Sequence, residues 1–301
     1  MSAQPLLWPA LALVLNAFIW GVSWWPFRQL QALGLHPLWA TVAVYAAAVV
    51  AVLVWRPRSW VEVLRAPSLW VILLAAGCTN AAFNWGVSAG DVVRVVLLFY
   101  LMPLWSVLLA RLLLDERLNL SAGLRVALAL SGALIVLWPA DVAAGGHWSQ
   151  HLPLPRSLPD WLGVVGGVTF ALNNVMLRRE AHQPEAARAL AMFLGGALVS
   201  AVAASLLAIH SAGPWLPAPA PGWMLGALVL AAFFLVSNMA LQYGASRLPA
   251  HITSVVMLTE VLFATVSALA LDGGRLTLPL LLGGGCIVVA ALMSAWGPAS
   301  D

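Results

Sequence analysis

The chain contains no lysine: all fourteen of its basic residues are arginine, set against eleven acidic ones. Without lysine there is no Walker A phosphate loop, which excludes a P-loop ATPase. Charge of either sign is scarce. Charged residues make up 8% of the sequence, where a soluble globular domain carries roughly 25%, too few to cover a surface facing water. Cysteine is almost missing as well. Cys78 and Cys286 stand alone in apolar runs, which excludes a disulfide framework and reads as packing. No basic cluster is longer than Arg178-Arg179, so the net charge of +3 points to no nucleic-acid partner. His147 and His151 are four residues apart, but in a Gly/Pro-rich stretch without a His-Glu-x-x-His motif. No metal site and no cofactor are expected. No Ser-His-Asp or Cys-His arrangement can be assembled from mid-run positions, so no catalytic residues and no enzyme are expected.

What is abundant is apolar. Such residues form 62% of the chain, in Leu/Ala/Val-rich runs of about 20 residues, the length that crosses a hydrocarbon core. The runs do not alternate, and backbone polar groups in lipid must be paired internally, so helices are expected and the bilayer is the first partner. Punctuation by Pro, Gly and charge places ten spans at about 8–28, 37–55, 68–88, 92–113, 119–138, 160–177, 188–209, 222–243, 249–271 and 277–296. The N-terminal stretch reads as the first span rather than a removable signal, for it lacks a basic leader and runs on into Trp20, Trp24 and Trp25. With both termini in the cytoplasm, ten arginines fall inside and four (Arg28, Arg94, Arg156, Arg275) outside, the bias expected of an inner-membrane protein. Trp8, Trp55, Trp60, Trp70 and Trp223 near span ends fit an interfacial belt.

An internal repeat is visible. Tyr100–Leu118 reads YLMPLWSVLLARLLLDERL and Met257–Leu276 reads MLTEVLFATVSALALDGGRL. Pro103 aligns with Glu260 and Asp115 with Asp272, and an Arg-Leu pair follows in each. Five helices per half make the second half inverted relative to the first, the usual architecture of secondary transporters. The expected fold is therefore an all-α integral membrane protein of ten helices. Its parts are a first repeat over 1–138, a periplasmic connector over 139–159 and a second repeat over 160–301.

The segment with Pro103 and the ending Asp115-Glu116-Arg117-Leu118 resembles the EamA signature of the drug/metabolite transporter superfamily, as does Trp20-Gly21-Val22-Ser23 in the first span. Within that superfamily the chain looks most like the YddG-type exporters of aromatic amino acids, in length, tryptophan content and a fourth span bearing Pro103, Tyr100 and Trp105. Gly273-Gly274-Arg275 departs from the pattern, standing where an acidic Glu-Arg is usual. The resemblance implies a central cavity lined by the first, third, fourth, sixth, eighth and ninth spans, and export of a small-molecule substrate, an amino acid, from the cytoplasm. The absence of lysine and of a central arginine argues against a phosphate-bearing substrate.

Candidate substrate-binding residues follow from cost. Glu260 is the one carboxylate near mid-span, and an ionisable group there is a functional hypothesis by default. It reads either as a site for a substrate amine or proton, or as a carboxyl hydrogen-bonded within the bundle. Buried amides must find partners. Asn80 and Asn84 share one face of the third span, Asn174 lies in the sixth, and Asn238 lies in the eighth; each fits either interhelical bonding or solute contact. Trp20, Tyr100, Phe170 and Phe234 suit stacking on an aromatic or amine-bearing solute. Pro103 in mid-span frees a carbonyl and permits a hinge or a static bend. The Gly-rich run 277–296 fits dimer contact and internal packing alike, so the oligomeric state stays open.

Overall fold

The structure, a computed structural model, describes residues 7–89, 92–116, 120–136, 155, 157–211, 218–272 and 278–296. Most of the connector, with His147 and His151, lies outside them, as do Arg117, Leu118, Arg156 and Gly273-Gly274-Arg275. The described residues form thirteen α-helices and no strand: α1 Leu7–Ala32, α2 Pro37–Trp55, α3 Ser59–Arg65, α4 Pro67–Ala89, α5 Val92–Phe99, α6 Met102–Leu113, α7 Leu120–Val136, α8 Leu158–Arg179, α9 Glu185–Ser211, α10 Pro221–Ala245, α11 Ala250–Met257, α12 Thr259–Asp272 and α13 Leu278–Trp296. Prolines begin several of them, since the first turn has no use for the missing N–H. Pro37 follows an N-cap in which His36 accepts the Leu38 N–H. Gly34, at φ 87°, turns the chain out of α1.

Among the described residues, six segments are long and apolar enough to cross a membrane: α1, α2, α4, α9, α10 and the α11–α12 run. Shorter apolar helices occupy 102–113, 123–135 and 281–293. Helix α3 lies between the spans expected at 37–55 and 68–88. It is a seven-residue piece with Ser59 and Val63 buried and Trp60 and Leu64 exposed.

Apolar side chains cover the outside of the bundle: Val54, Leu112, Leu225 and Leu278 are all largely exposed, as a lipid-facing surface requires. Inside, small residues and sparse polar links hold the helices. Helix α4 packs on α8 and α9, α1 on α10 and α12, α8 on α5 and α6, and α7 on α13. At Gly195 in α9 a Cβ would run into the Leu73 carbonyl of α4. At Gly21 in α1 it would stand 2.7 Å from Phe263 Cβ and 2.8 Å from the Glu260 carbonyl of α12. Between helices, Asn84 donates to Thr41 Oγ1 at 2.6 Å, Trp24 to Ser267 Oγ at 2.9 Å, and Thr79 bonds Thr169 at 2.9 Å. Such links in lipid contribute about 0.6 kcal/mol each.

Candidate functional site

Two of the apolar runs are interrupted. Between α5 and α6 the chain tightens at Tyr100–Leu101, two residues before Pro103. Pro103 cannot donate to the Phe99 carbonyl four residues back, and Gly167 of α8 lies against that carbonyl: a Cβ there would come within 2.6 Å of it. Between α11 and α12 the tighter turn falls at Leu258, two residues before Glu260, with no proline. Ser254 and Thr259 instead bond back to the carbonyls of Ala250 and Val256, a habit that bends helices.

Beside these breaks lies a cavity with about 710 Å³ of empty space, its open mouth included. One wall is aromatic: Trp20 stacks on Phe234 with centroids 4.7 Å apart, and Tyr45 meets Phe234 edge-on at 5.9 Å. A second aromatic group joins Phe99 to Phe83 at 4.8 Å and to Phe170 at 5.7 Å. Polar side chains come from five helices: Asn16 of α1, Thr79 and Asn80 of α4, Asn173 of α8, Asn238 of α10 and Glu260 of α12. Met192, Phe193, Leu241 and Met257 complete an apolar floor, with Ala76.

Of the residues singled out in the sequence, Trp20, Asn80, Phe170, Phe234, Asn238 and Glu260 line this cavity. Three do not. Tyr100 is buried behind the wall, with its hydroxyl near the Glu260 carboxyl. Asn84 faces α2 and Thr41. Asn174 is buried with neither amide atom paired among the described residues, while its neighbour Asn173 reaches the cavity. The second and seventh spans also contribute, through Tyr45 and through Met192 and Phe193, which the sequence reading passed over. Tyr45 donates to Asn80 Oδ1 at 2.7 Å and so fixes that amide. A signal for Phe170 and its setting was present: Gly166-Gly167-Val168-Thr169-Phe170 echoes Trp20-Gly21-Val22-Ser23-Trp24, and in both copies the glycine meets an interrupted helix.

At one end of the bundle Glu116 ties three helices together. Asp115 takes a left-handed conformation, φ 54°, which aspartate tolerates better than most residues. The Ala110 carbonyl then accepts the N–H groups of both Leu114 and Glu116, wrapping the chain over the end of α6. Glu116 Oε1 accepts from Arg178 Nε of α8 at 2.9 Å, and Oε2 accepts the Ala250 N–H of α11 at 3.2 Å. His251 Nδ1 stands 3.9 Å from the same oxygen. Burial pushes the Glu116 pKa up, but His251, Arg178 and the Ala250 N–H outweigh it and hold the carboxyl below its ordinary value.

Residues 7–138 match the EamA-like transporter family. Over 168 residues, 54% of the chain, the sequence is 30% identical to an uncharacterised transporter of Pseudomonas aeruginosa, 51% of which is covered. Over 135 residues, 42% of the chain, it is 31% identical to an uncharacterised transporter of Vibrio cholerae, covered to 45%. The chain thus spans about half the length of the curated relatives it matches. A solved crystal structure superposes on it with a TM-score of 0.74 over 97% of each chain at 19% identity, a likeness of fold alone. The family match thus falls on the first part of the chain, and both relatives that the chain resembles are transporters.

Proposed function

We propose that the protein is a secondary transporter that carries a small amine-bearing solute with a bulky apolar or aromatic body out of the cytoplasm by alternating access. One observation carries the reading: a single cavity gathers side chains from both parts of the chain at the depth where two helices are interrupted. Breaks of this kind supply free backbone groups and points of bending beside the site. On this reading α5–α6, α7, α8 and α13 are spans in addition to the six long ones, and the ten form two inverted five-helix repeats, over 1–138 and 160–301. Two features support the inversion. Pro103 and Glu260, matched in sequence, each follow a break by two residues. Partners are exchanged as a two-fold axis requires: α1 packs on α10 and α12, α8 on α4 and α6. The arginine bias puts both termini in the cytoplasm, and the bacterial relatives favour the bacterial inner membrane.

Pro103 and Leu258 then serve as the hinges. The Glu116 network closes the cytoplasmic end, and its rupture accompanies opening on that side. Aromatic and other bulky neutral amino acids are the first solute class, as for the YddG-type exporters, because the walls offer aromatic faces and amides. Organic cations are the second class, favoured by Glu260 as the one charge-bearing side chain among the described residues that line the wall. Counterflow in proteoliposomes tests transport itself. With excess unlabelled amino acid inside, labelled tryptophan, phenylalanine or threonine, or a labelled organic cation, accumulates transiently, and Phe234→Ala abolishes the accumulation. Absence of counterflow for all of them in correctly folded protein sinks the reading.

A further inference from the structure

We propose that the cleft between α3 and the start of α9 holds one phospholipid with a zwitterionic, primary-amine headgroup, a phosphatidylethanolamine, with its phosphate on Arg56 and Arg58 and its ammonium group on Glu62 and Glu185. The site lies at the end of the bundle and does not rest on the solute cavity. The cleft has about 1280 Å³ of empty space, open solvent included, where α2 ends and α3 and α9 begin. Its walls are fixed by hydrogen bonds. Ser59, 1% exposed, donates Oγ to the Arg56 carbonyl at 2.8 Å, and its N–H reaches the same carbonyl at 3.0 Å. Trp70 Nε1 donates to the Val63 carbonyl at 2.8 Å and ties α3 to α4. The Arg56 guanidinium lies over the Trp55 ring, 5.4 Å from its centroid, a contact that keeps the charge at the wall.

Charge decides the headgroup. Arg58 and Glu62 are four residues apart, a spacing that on a helix brings Cβ atoms to roughly 5–6 Å and favours an ion pair. Neither makes one among the described residues, and nor does Glu185. Arg188, three residues along α9, acts on Glu185 through space, but its guanidinium is directed to the Leu177 carbonyl at 3.3 Å. Two guanidinium groups and two carboxylates are thus open to one cleft. A phosphoethanolamine headgroup carries both signs on a two-carbon link and meets both pairs. A purely anionic headgroup meets the arginines but also two carboxylates of like sign. A choline headgroup has the right charges, but its quaternary nitrogen has no N–H for Glu62 or Glu185, where a primary ammonium has three. The surroundings favour a lipid over a soluble zwitterion. Trp55 stands in the wall, Trp60 and Leu64 of α3 are exposed, and Val50 and Val54 of α2 form an exposed apolar track for an acyl chain. Tryptophan and arginine at the end of a span mark headgroup level.

The test is native mass spectrometry of the full chain, purified in neutral detergent and mixed with equal amounts of phosphatidylethanolamine, phosphatidylcholine and phosphatidylglycerol of the same acyl chains. One phosphatidylethanolamine is expected to stay bound per protein, preferred over each of the other two by about tenfold. The double variant Glu62→Gln/Glu185→Gln is expected to bring phosphatidylethanolamine down to the level of phosphatidylcholine and to leave phosphatidylcholine unchanged. Arg56→Gln/Arg58→Gln is expected to lower the retention of both by about tenfold or more. All four side chains are at least partly exposed, so both proteins should elute as the parent does. Equal retention of phosphatidylethanolamine and phosphatidylcholine by the parent overturns the proposal, as does a preference for phosphatidylglycerol, which would make the cleft an anion site. A parent-like preference in both variants overturns it by placing the lipid elsewhere. Displacement by an equal concentration of soluble glycerophosphoethanolamine overturns the lipid as occupant. Counterflow is not the readout, so each of these failures leaves the transport reading standing.

Discussion

Gly21→Ala perturbs the contact between α1 and α12 beside Glu260, and its outcome can be worked from the geometry. The new Cβ would lie 2.7 Å from Phe263 Cβ, 2.8 Å from the Glu260 carbonyl oxygen and 2.9 Å from the Ala264 nitrogen. All three are backbone atoms or a Cβ, so no rotamer change relieves them; the helices must separate. Overpacking of this kind costs about 1–3 kcal/mol. Against it stands a gain of about 0.5–1 kcal/mol for alanine over glycine in a helix interior. The net expectation is a loss of up to about 2 kcal/mol. A matched control is Gly285→Ala in α13, where nothing lies within 4 Å of the added carbon, so only the gain of about 0.5–1 kcal/mol applies. Both variants are purified and heated, and the folded fraction is followed by size-exclusion chromatography. The expected order of midpoints is Gly285→Ala at or above the parent and Gly21→Ala below it. Because the separation also moves Trp20 relative to Glu260, solute binding should fall in Gly21→Ala and hold in Gly285→Ala. A Gly21→Ala protein as stable as the Gly285→Ala protein would refute the close-contact argument.

Three further outcomes are expected. Glu116→Gln removes the 2.9 Å ion pair to Arg178 and should lower stability by about 1–2 kcal/mol, a figure reduced for partial exposure. Because the folded pKa of Glu116 lies below the ordinary 4.5, its contribution is complete above that value and is lost as pH falls through the lowered folded value. Melting at pH 6 and at successively lower pH should show a loss in the parent that Glu116→Gln lacks; parallel curves would refute the assignment. Asn84→Ala breaks a bond to Thr41 in the α2–α4 contact, so it should lower stability by about 0.6 kcal/mol, seen as a slightly lower melting temperature, and leave solute affinity unchanged; a large loss of affinity with normal melting would place Asn84 at the solute instead. Tyr100→Phe removes the hydroxyl near the Glu260 carboxyl and should destabilise the protein by up to about 1 kcal/mol, measured by the same heating series.

Helix positions were legible because the apolar runs and their Pro and Gly punctuation are long-range, redundant signals. The expected span at 37–55 coincides with α2, and the one at 222–243 sits within Pro221–Ala245. Helix α3 escaped because its seven residues, Ser59–Arg65, are too few to show periodicity. The site was legible only by residue type, not by direction. Asn173 and Asn174 are adjacent, and adjacent residues on a helix point about 100° apart; which one enters a cavity depends on how α8 is rotated. Asn80 and Asn84 share a face, yet α2 crosses that face one turn along, and Thr41 claims Asn84. Tyr45 hid in an apolar run, where only its hydroxyl, which must find a partner when buried, hinted at the bond to Asn80.

The same limit bears on the two interrupted helices. Proline marks the first break, and sequence alone attaches the bend to Pro103. The second break, at Leu258, has no proline, yet it stands in the corresponding place, beside the same cavity. Proline is therefore not the common cause. What the two breaks share is a close neighbour: Gly167 lets α8 meet the Phe99 carbonyl, and Gly21 lets α1 meet the Glu260 carbonyl. A glycine at the contact lets a helix backbone bend toward its neighbour where a Cβ would block it. The breaks are thus a property of helix pairs rather than of single residues. Pro103→Ala should accordingly leave the interruption near Tyr100–Leu101 in place, while a larger residue at Gly167 should displace it; nitroxide distances from α5 to α6 separate the two results.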